Sequence, residues 1–292
     1  MKSRNDQIFQ GVIYVITTLV CLVTLYPLIY ALSASFSDPA RILDGTVTLW
    51  PVGFNVNAYA RVFASSDIMI GYRNTVIYTV VGTTVNMIAT VMAAYPLSLP
   101  NLKGRNAITF FITFTMFFSA GTIPTYLNMK DLGLLNNPLV LIIPGAISVS
   151  NMLIIRNYFI HSVPAALREA ADIDGASPFA VMMQIVLPLS KSILFVIILY
   201  YMVGHWNSYF SAMMYLRDRR MRPLQVFLRE ILVLTQMGDM EEQAGIDDAS
   251  IYLIYAALKY AIIVVSAVPL LVLYPMVQKF FERGIMMGSL KG

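Results

Sequence analysis

Glu169, Ala170, Ala171, Gly175, Ile185, Leu187 and Pro188 are the residues whose types and spacing point to a specific task. That task is docking rather than bond-making: a carboxylate, two adjacent small side chains and a glycine just beyond them suit a surface that another protein approaches closely. Residues for catalysis are wanting. The sequence has no G-x-x-x-x-G-K-[ST] phosphate loop and no H-E-x-x-H pair. His161 and His205 belong to different regions, and His205 stands beside Trp206, where an interfacial aromatic cluster is the simpler reading. Cys21 is the single cysteine, so neither a disulfide nor a Cys-based zinc site can form within one chain. No cofactor is expected on this chain.

The elements that must position these residues are set by composition. Of the 292 residues, 58% are hydrophobic and 12% charged, with a mean hydropathy of +0.70. Soluble domains are roughly half apolar and about a quarter charged, so this is a polytopic membrane protein, and with the long apolar runs below its expected fold class is all-α. A net charge of +4 without a Lys/Arg block excludes a nucleic-acid partner.

Six transmembrane helices are expected: Val12–Leu32, Thr75–Leu97, Ala107–Leu127, Leu139–Phe159, Ile185–Gly204 and Tyr255–Val277. Each approaches the roughly 20 apolar residues that cross a bilayer. Lys2, Arg4 and Ala31-Leu32-Ser33 resemble a signal peptide, but the first run exceeds a signal core and reads as a retained anchor. Residues 1–74 are then an anchor and loop, 75–277 the core, and 278–292 a short basic tail. Pro39, Leu43-Asp44-Gly45, Trp50-Pro51 and Gly53 break Ser33–Tyr72 into a loop with at most short elements. The excursion 207–250 is polar, and within it Leu224, Phe227, Leu228, Ile231 and Leu232 predict an amphipathic helix opened by Pro223.

Charge alone leaves orientation open. Lys2, Arg4, Lys103, Arg105, Arg156, Arg168, Lys191, Lys279, Arg283 and Lys291 lie on or near the N-terminal face, and the other half of the 20 basic residues lie opposite. Because short connections weigh more than long loops, both termini are expected inside. The spans hold no Asp or Glu, which argues against a proton-coupled carrier.

Residues 162–189 separate the fourth and fifth spans. Ala165–Asp174 is predicted helical from good helix formers. Leu167, Ala170, Ala171 and Asp174 share one of its faces, with the alanines expected to point outward and admit close approach. Gly175 suits a left-handed helix end, and Ser177-Pro178 suits the start of a second short helix, Pro178–Gln184. The polar face is acidic, with Glu169, Asp172 and Asp174 against Arg168, which fits a basic protein surface better than anionic lipid headgroups.

This stretch resembles the E-A-A-x-x-x-G-x-(nine residues)-I-x-L-P motif of binding-protein-dependent ABC importer permeases, and all seven positions match. Ile123-Pro124-Thr125-Tyr126, Arg156-Asn157-Tyr158-Phe159, Trp206-Asn207 and the tail from Gly284 to Gly292 resemble the carbohydrate-importer branch. The resemblance implies a type I ABC importer permease fold in a prokaryotic cytoplasmic membrane, with both termini cytoplasmic. It implies an ATPase-coupling role for Glu169, Ala170, Ala171, Asp172, Gly175, Ala176, Ile185, Leu187 and Pro188. The implied partners are a homologous permease of different sequence, two ATPase subunits holding ATP and Mg, an extracytoplasmic solute-binding protein, the sugar and the lipid membrane. The excursion 207–250 would then be extracytoplasmic, and the cargo an oligosaccharide from a complex polysaccharide.

Asn86, Ser148, Ser150, Asn151, Tyr200, Trp206 and Asn207 could line a sugar path, although Ser, Thr and Asn also serve as interhelical hydrogen-bonders. The competing readings are a permease for a non-sugar solute, a stand-alone carrier or channel, and a non-transport scaffold using the same loop.

Overall fold

The computed structural model describes residues 4–243, 253, 255–272 and 275. All regular structure among them is helical. In chain order the helices are α1 (Arg4–Ser35), α2 (Pro39–Leu43), α3 (Asn57–Ala64), α4 (Ser66–Ser98), α5 (Arg105–Phe114), α6 (Thr122–Asp131), α7 (Val149–Ser162) and α8 (Ala165–Ile173). There follow α9 (Pro178–Val181), α10 (Leu187–Leu189), α11 (Lys191–Trp206), α12 (Phe210–Tyr215) and α13 (Leu224–Gln243). The last, α14, is Tyr255–Val272. The expected tail 278–292, the end of the sixth span and residues 244–250 of the excursion lie outside the described residues.

Among the described residues, α1, α4 and α14 are long and apolar enough to cross a bilayer alone, and the bent pair Pro178–Leu189 and Lys191–Trp206 adds a fourth crossing if counted as one span. Continuous helices at the third and fourth expected spans are not observed. The third divides into α5 and α6, where Gly121 adopts φ +85°. The fourth begins with a short 3-10 turn, Pro138–Leu141, and is α-helical only from Val149. Proline at 138 and 144 and glycine at 145 withhold the donors and stiffness that a continuous helix needs. The fifth starts later than expected, at Lys191.

The chain divides into two compact units: Met1–Met69 with Phe227–Pro269, and Ile70–Val226 with Leu270–Gly292. In the first, the connection after α1 folds back on itself. Ser33 Oγ donates to the Leu49 carbonyl at 2.6 Å, and Phe36 stacks between Phe54 and Tyr59. Tyr30 meets Tyr260 of α14 edge-on at 5.6 Å.

The second unit has its main core where α4, α7 and α11 meet. Val91, Ala94, Tyr95, Met152, Ile155, Phe159 and Ile197 are buried there. A second cluster gathers Met129, Val140, Ala212, Tyr215, Leu216 and Val226. The amphipathic pattern read at 224–232 is realised in α13, with Leu224 and Phe227 buried and Arg229 exposed.

Candidate functional site

The loop between α7 and α11 is built from local rules, each with a visible hydrogen bond. α8 ends at Ile173, and Gly175 follows with φ +72°. Gly175 N–H then donates to the Asp172 carbonyl at 3.2 Å, and Ala176 N–H to the Ala171 carbonyl at 2.9 Å. These paired bonds close a helix end through a left-handed residue, a conformation that glycine adopts without a Cβ clash. Ser177 caps α9 by accepting from Ala180 N–H at 3.2 Å, with Pro178 in the first turn. The expected second helix, Pro178–Gln184, is α-helical only to Val181. Met182–Val186 widens into a π turn just before Pro188, a residue without an N–H to donate. At Ser190 the chain bends by 85° into α11.

The inner side of this loop belongs to the core. Val163, Ala171, Val181, Met182 and Val186 are buried with the residues of α4, α7 and α11. Ala171 therefore faces inward, contrary to the outward placement expected of both alanines, because the second-turn position on α8 that packs is 171 rather than 170. Ala170 is exposed, as are Glu169, Asp172 and Asp174. Arg168 departs from the acidic face, and its guanidinium donates to the Phe159 carbonyl in the last turn of α7 at 2.6 Å. Ala176, Ile185 and Leu187 are half-buried against the core, while Gly175 and Pro188 are exposed.

Two exposed apolar residues missed by sequence reasoning join this surface. Ile173 is 87% exposed and Phe179 65% exposed. The sequence pattern that could have singled them out is local: Ile173 stands between Asp172 and Asp174, and Phe179 directly follows the Ser177-Pro178 cap. Phe179 itself lines an apolar cleft of about 430 Å³ with Met87, Met92, Met182, Met183 and Leu194.

The residues considered for a sugar path have mostly structural surroundings. Asn86 is 1% exposed. Its amide N–H groups donate to the carbonyls of Gly145 and Ala146 at 2.6 and 3.0 Å, and its oxygen pairs with His205 Nε2. Ser148 caps α7, accepting from Asn151 N–H at 3.5 Å. Trp206 is buried edge-on against Tyr72. Tyr200 and Asn207 are exposed, and Asn207 donates to the Val203 carbonyl. These seven positions do not converge on one pocket among the described residues.

The neighbour of Tyr200 proves to be the structured one. Tyr201 hydroxyl accepts from Ser148 N–H at 3.0 Å and pairs with Thr90 Oγ1 at 2.7 Å. Asn86 and Thr90 lie one turn apart on α4, and Tyr201 and His205 one turn apart on α11. Asn86 and Tyr201 bond the Gly145 and Ala146 carbonyls and the Ser148 N–H of the non-helical stretch 145–148, groups that a membrane interior leaves without water. His205 and Thr90 pair with the Asn86 and Tyr201 side chains. Asn86 and Thr90 belong to a longer buried polar stripe on α4: Asn74, Thr75, Thr79, Thr83, Asn86 and Thr90. From 75 to 90 the stripe runs about 22 Å along the helix.

Residues 1–287 match the family model described as "Binding-protein-dependent transport system inner membrane component". The polygalacturonan/rhamnogalacturonan transport system permease protein YtcP of Bacillus subtilis is 37% identical, with 100% of both chains covered. Protein LplC of Bacillus subtilis is 38% identical over 92% of this chain and 90% of its own. A solved structure titled as a bacterial ABC transporter involved in the import of the acidic polysaccharide alginate contains a chain that is 39% identical, with a TM-score of 0.85, covering 96% of this chain and 99% of that one. This chain therefore belongs to the family of binding-protein-dependent transport system inner membrane components and has the permease fold of a type I ABC importer.

Proposed function

We propose that this chain is the membrane permease subunit of an ATP-driven carbohydrate importer, moving an oligosaccharide from a complex polysaccharide. Support comes from family membership together with two relatives of more than a third identity whose names or titles concern polygalacturonan and alginate. It is a transport subunit rather than an enzyme, and ATP with its Mg²⁺ belongs to partner chains.

The single observation that carries the coupling mechanism is the construction of residues 162–189. The loop is packed into the core on its inner side by Ala171, Val181, Met182 and Val186, yet presents Glu169, Asp172, Ile173 and Phe179 outward. A lever needs both properties: a stiff connection to the spans and a surface for another body to push. In this reading an ATPase subunit seats against the outer side, Glu169 pairs with a basic residue there, and Ile173 and Phe179 enter an apolar recess. Charge pairing at such an edge sets register as much as affinity.

The mechanism is alternating access. Closure of two ATPase subunits on ATP moves two permease loops together, and each loop passes the displacement to its spans through α11. The core packing prevents the loop from yielding, so motion reaches the membrane. A solute-binding protein delivers sugar at the outer face, hydrolysis resets the cycle, and a second permease of different sequence completes the pathway. The chain lies in the cytoplasmic membrane of a prokaryote with both termini and 162–189 on the cytoplasmic side, and 207–250 outside.

Co-expression with the neighbouring permease, ATPase and binding-protein genes, followed by reconstitution into proteoliposomes, tests this reading. The complete assembly should hydrolyse ATP and accumulate sugar only with its binding protein present. Sugar uptake by this chain alone would refute it.

A further inference from the structure

Four arginines stand in a six-residue turn, Arg217, Arg219, Arg220 and Arg222, with Asp218 the one acidic residue among them. On the topology proposed above this turn is extracytoplasmic.

The turn is a built object. Asn136 adopts φ +55°, the only positive φ of a non-glycine residue among the described residues. Its side-chain oxygen accepts from the N–H groups of Arg217 and Asp218 at 3.0 and 2.8 Å. From the other side, the start of the α4 stripe holds the same turn. Asn74 Nδ2 donates to the carbonyls of Arg220 and Arg222 at 2.7 and 3.1 Å, Tyr78 hydroxyl donates to the Met221 carbonyl at 2.9 Å, and Thr75 Oγ1 accepts from Leu224 N–H at 2.8 Å. Asn74, Thr75 and Tyr78 are all buried. Arg222 turns its guanidinium back to the Leu216 carbonyl at 3.3 Å. Arg217 and Arg220 remain exposed on this fixed base.

These hydrogen bonds hold the backbone from which the exposed Arg217 and Arg220 side chains project. Preorganisation lowers the ordering cost of binding, and a planar guanidinium matches a carboxylate through two parallel hydrogen bonds. Neutral sugars offer no such acceptor. We propose that the Arg217–Arg222 turn is a carboxylate-recognition site, with Arg217 and Arg220 as its contact residues, that receives an acidic oligosaccharide of uronate residues at the outer mouth of the permease. This rests on the importer reading above and goes further by naming the charge class of the cargo. The two relatives whose names or titles mention polygalacturonan and the acidic polysaccharide alginate are consistent with that chemistry.

The test uses the complete transporter with its binding protein in proteoliposomes. The probes are oligogalacturonate, alginate oligosaccharide and the carboxyl-reduced, neutral form of each, compared between the natural chain and the double variant Arg217→Gln/Arg220→Gln. Uronate uptake should fall at least tenfold in the double variant, while binding-protein docking and basal ATP hydrolysis stay within twofold. An Arg217→Lys/Arg220→Lys variant should recover part of the loss. Failure of the natural assembly to take up either uronate overturns the proposal, whereas ATP-dependent uptake of a neutral sugar in the same assay leaves the importer reading standing. Equal loss for charged and neutral probes, or loss of binding-protein docking, also overturns it, because the arginines would then serve a protein contact.

Discussion

Arg168 and the carbonyl of Phe159 form a 2.6 Å hydrogen bond that ties α8 back to the last turn of α7. The final carbonyls of a helix lack partners within it, and a guanidinium there satisfies both the lone pair and the negative end of the helix dipole. The bond makes the docking helix and the preceding helix one piece. Removing it strands a carbonyl at the core edge, at a cost of about 1–3 kcal/mol. Arg168→Ala should therefore weaken retention of the ATPase subunit during co-purification in rising salt and lower sugar uptake more than membrane insertion. Arg168→Lys should fall between the two. Unchanged retention and uptake would separate Arg168 from coupling.

Gly175 supplies a second test with a distinctive pattern. It has φ +72°, and a Cβ added there would meet nothing within 4 Å. The cost of substitution is therefore conformational, about 1–2 kcal/mol for an ordinary L-residue in the left-handed region, and side-chain size matters little within the chain. Gly175→Ala and Gly175→Leu should impair uptake to similar degrees before any contact with the ATPase is considered. Gly175→Asn should retain more, since asparagine tolerates this conformation. An uptake series ranked by side-chain volume, with Asn no better than Leu, would contradict a backbone origin.

His205 is held in place by the absence of a side chain at 82. A Cβ on Gly82 would lie 2.5 Å from the His205 ring, and that ring pairs with Asn86. Gly82→Ala should therefore displace His205 and leave Asn86 without its partner. Interhelical hydrogen bonds in membranes average about 0.6 kcal/mol, so the thermal stability of the purified complex should drop modestly for Gly82→Ala and for His205→Ala. The double variant should lose less than the sum, because each change removes the same contact. Additive losses would place the two residues in separate interactions.

Tyr201 and Tyr200 make a matched pair. Tyr201→Phe leaves Ser148 N–H and Thr90 Oγ1 without the hydroxyl that now joins them. A loss of about 1–3 kcal/mol follows from unsatisfied buried groups, read as a lowered melting temperature. Tyr200→Phe, at an exposed position, should leave that temperature unchanged. Reversal of this order would undo the assignment of 145–148 as a stretch held from α4 and α11.

Much of the loop's design is legible in the sequence. Gly175, Ser177 and Pro178 are residues whose local preferences dictate a left-handed stop, a cap and a first turn, and each does that here. Other features depend on what packs against what. Ala170 and Ala171 are indistinguishable by type, and only the position of the α4, α7 and α11 core decides that Ala171 turns inward. Tyr200 and Tyr201 present the same ambiguity in α11. The breaks within the third and fourth expected spans were obscured because apolar runs look continuous in composition even where Pro144 and Gly145 interrupt the helix. In the fourth span the Gly145 carbonyl and the Ser148 N–H are met by Asn86 and Tyr201, residues 59 and 53 positions distant, a pairing that no local pattern encodes.

In the coupling mechanism an ATPase subunit covers the outer side of residues 162–189. Ile173, 87% exposed at the end of α8, is the best place to ask. Cys21 is the single cysteine, so a Cys21→Ser/Ile173→Cys chain carries one thiol for a short photoactivatable crosslinker. In the assembled transporter, illumination should join this chain to the ATPase subunit, with a yield that changes when ATP and vanadate trap the closed state. Adducts confined to lipid or to the solute-binding protein, with none to the ATPase, would contradict the account.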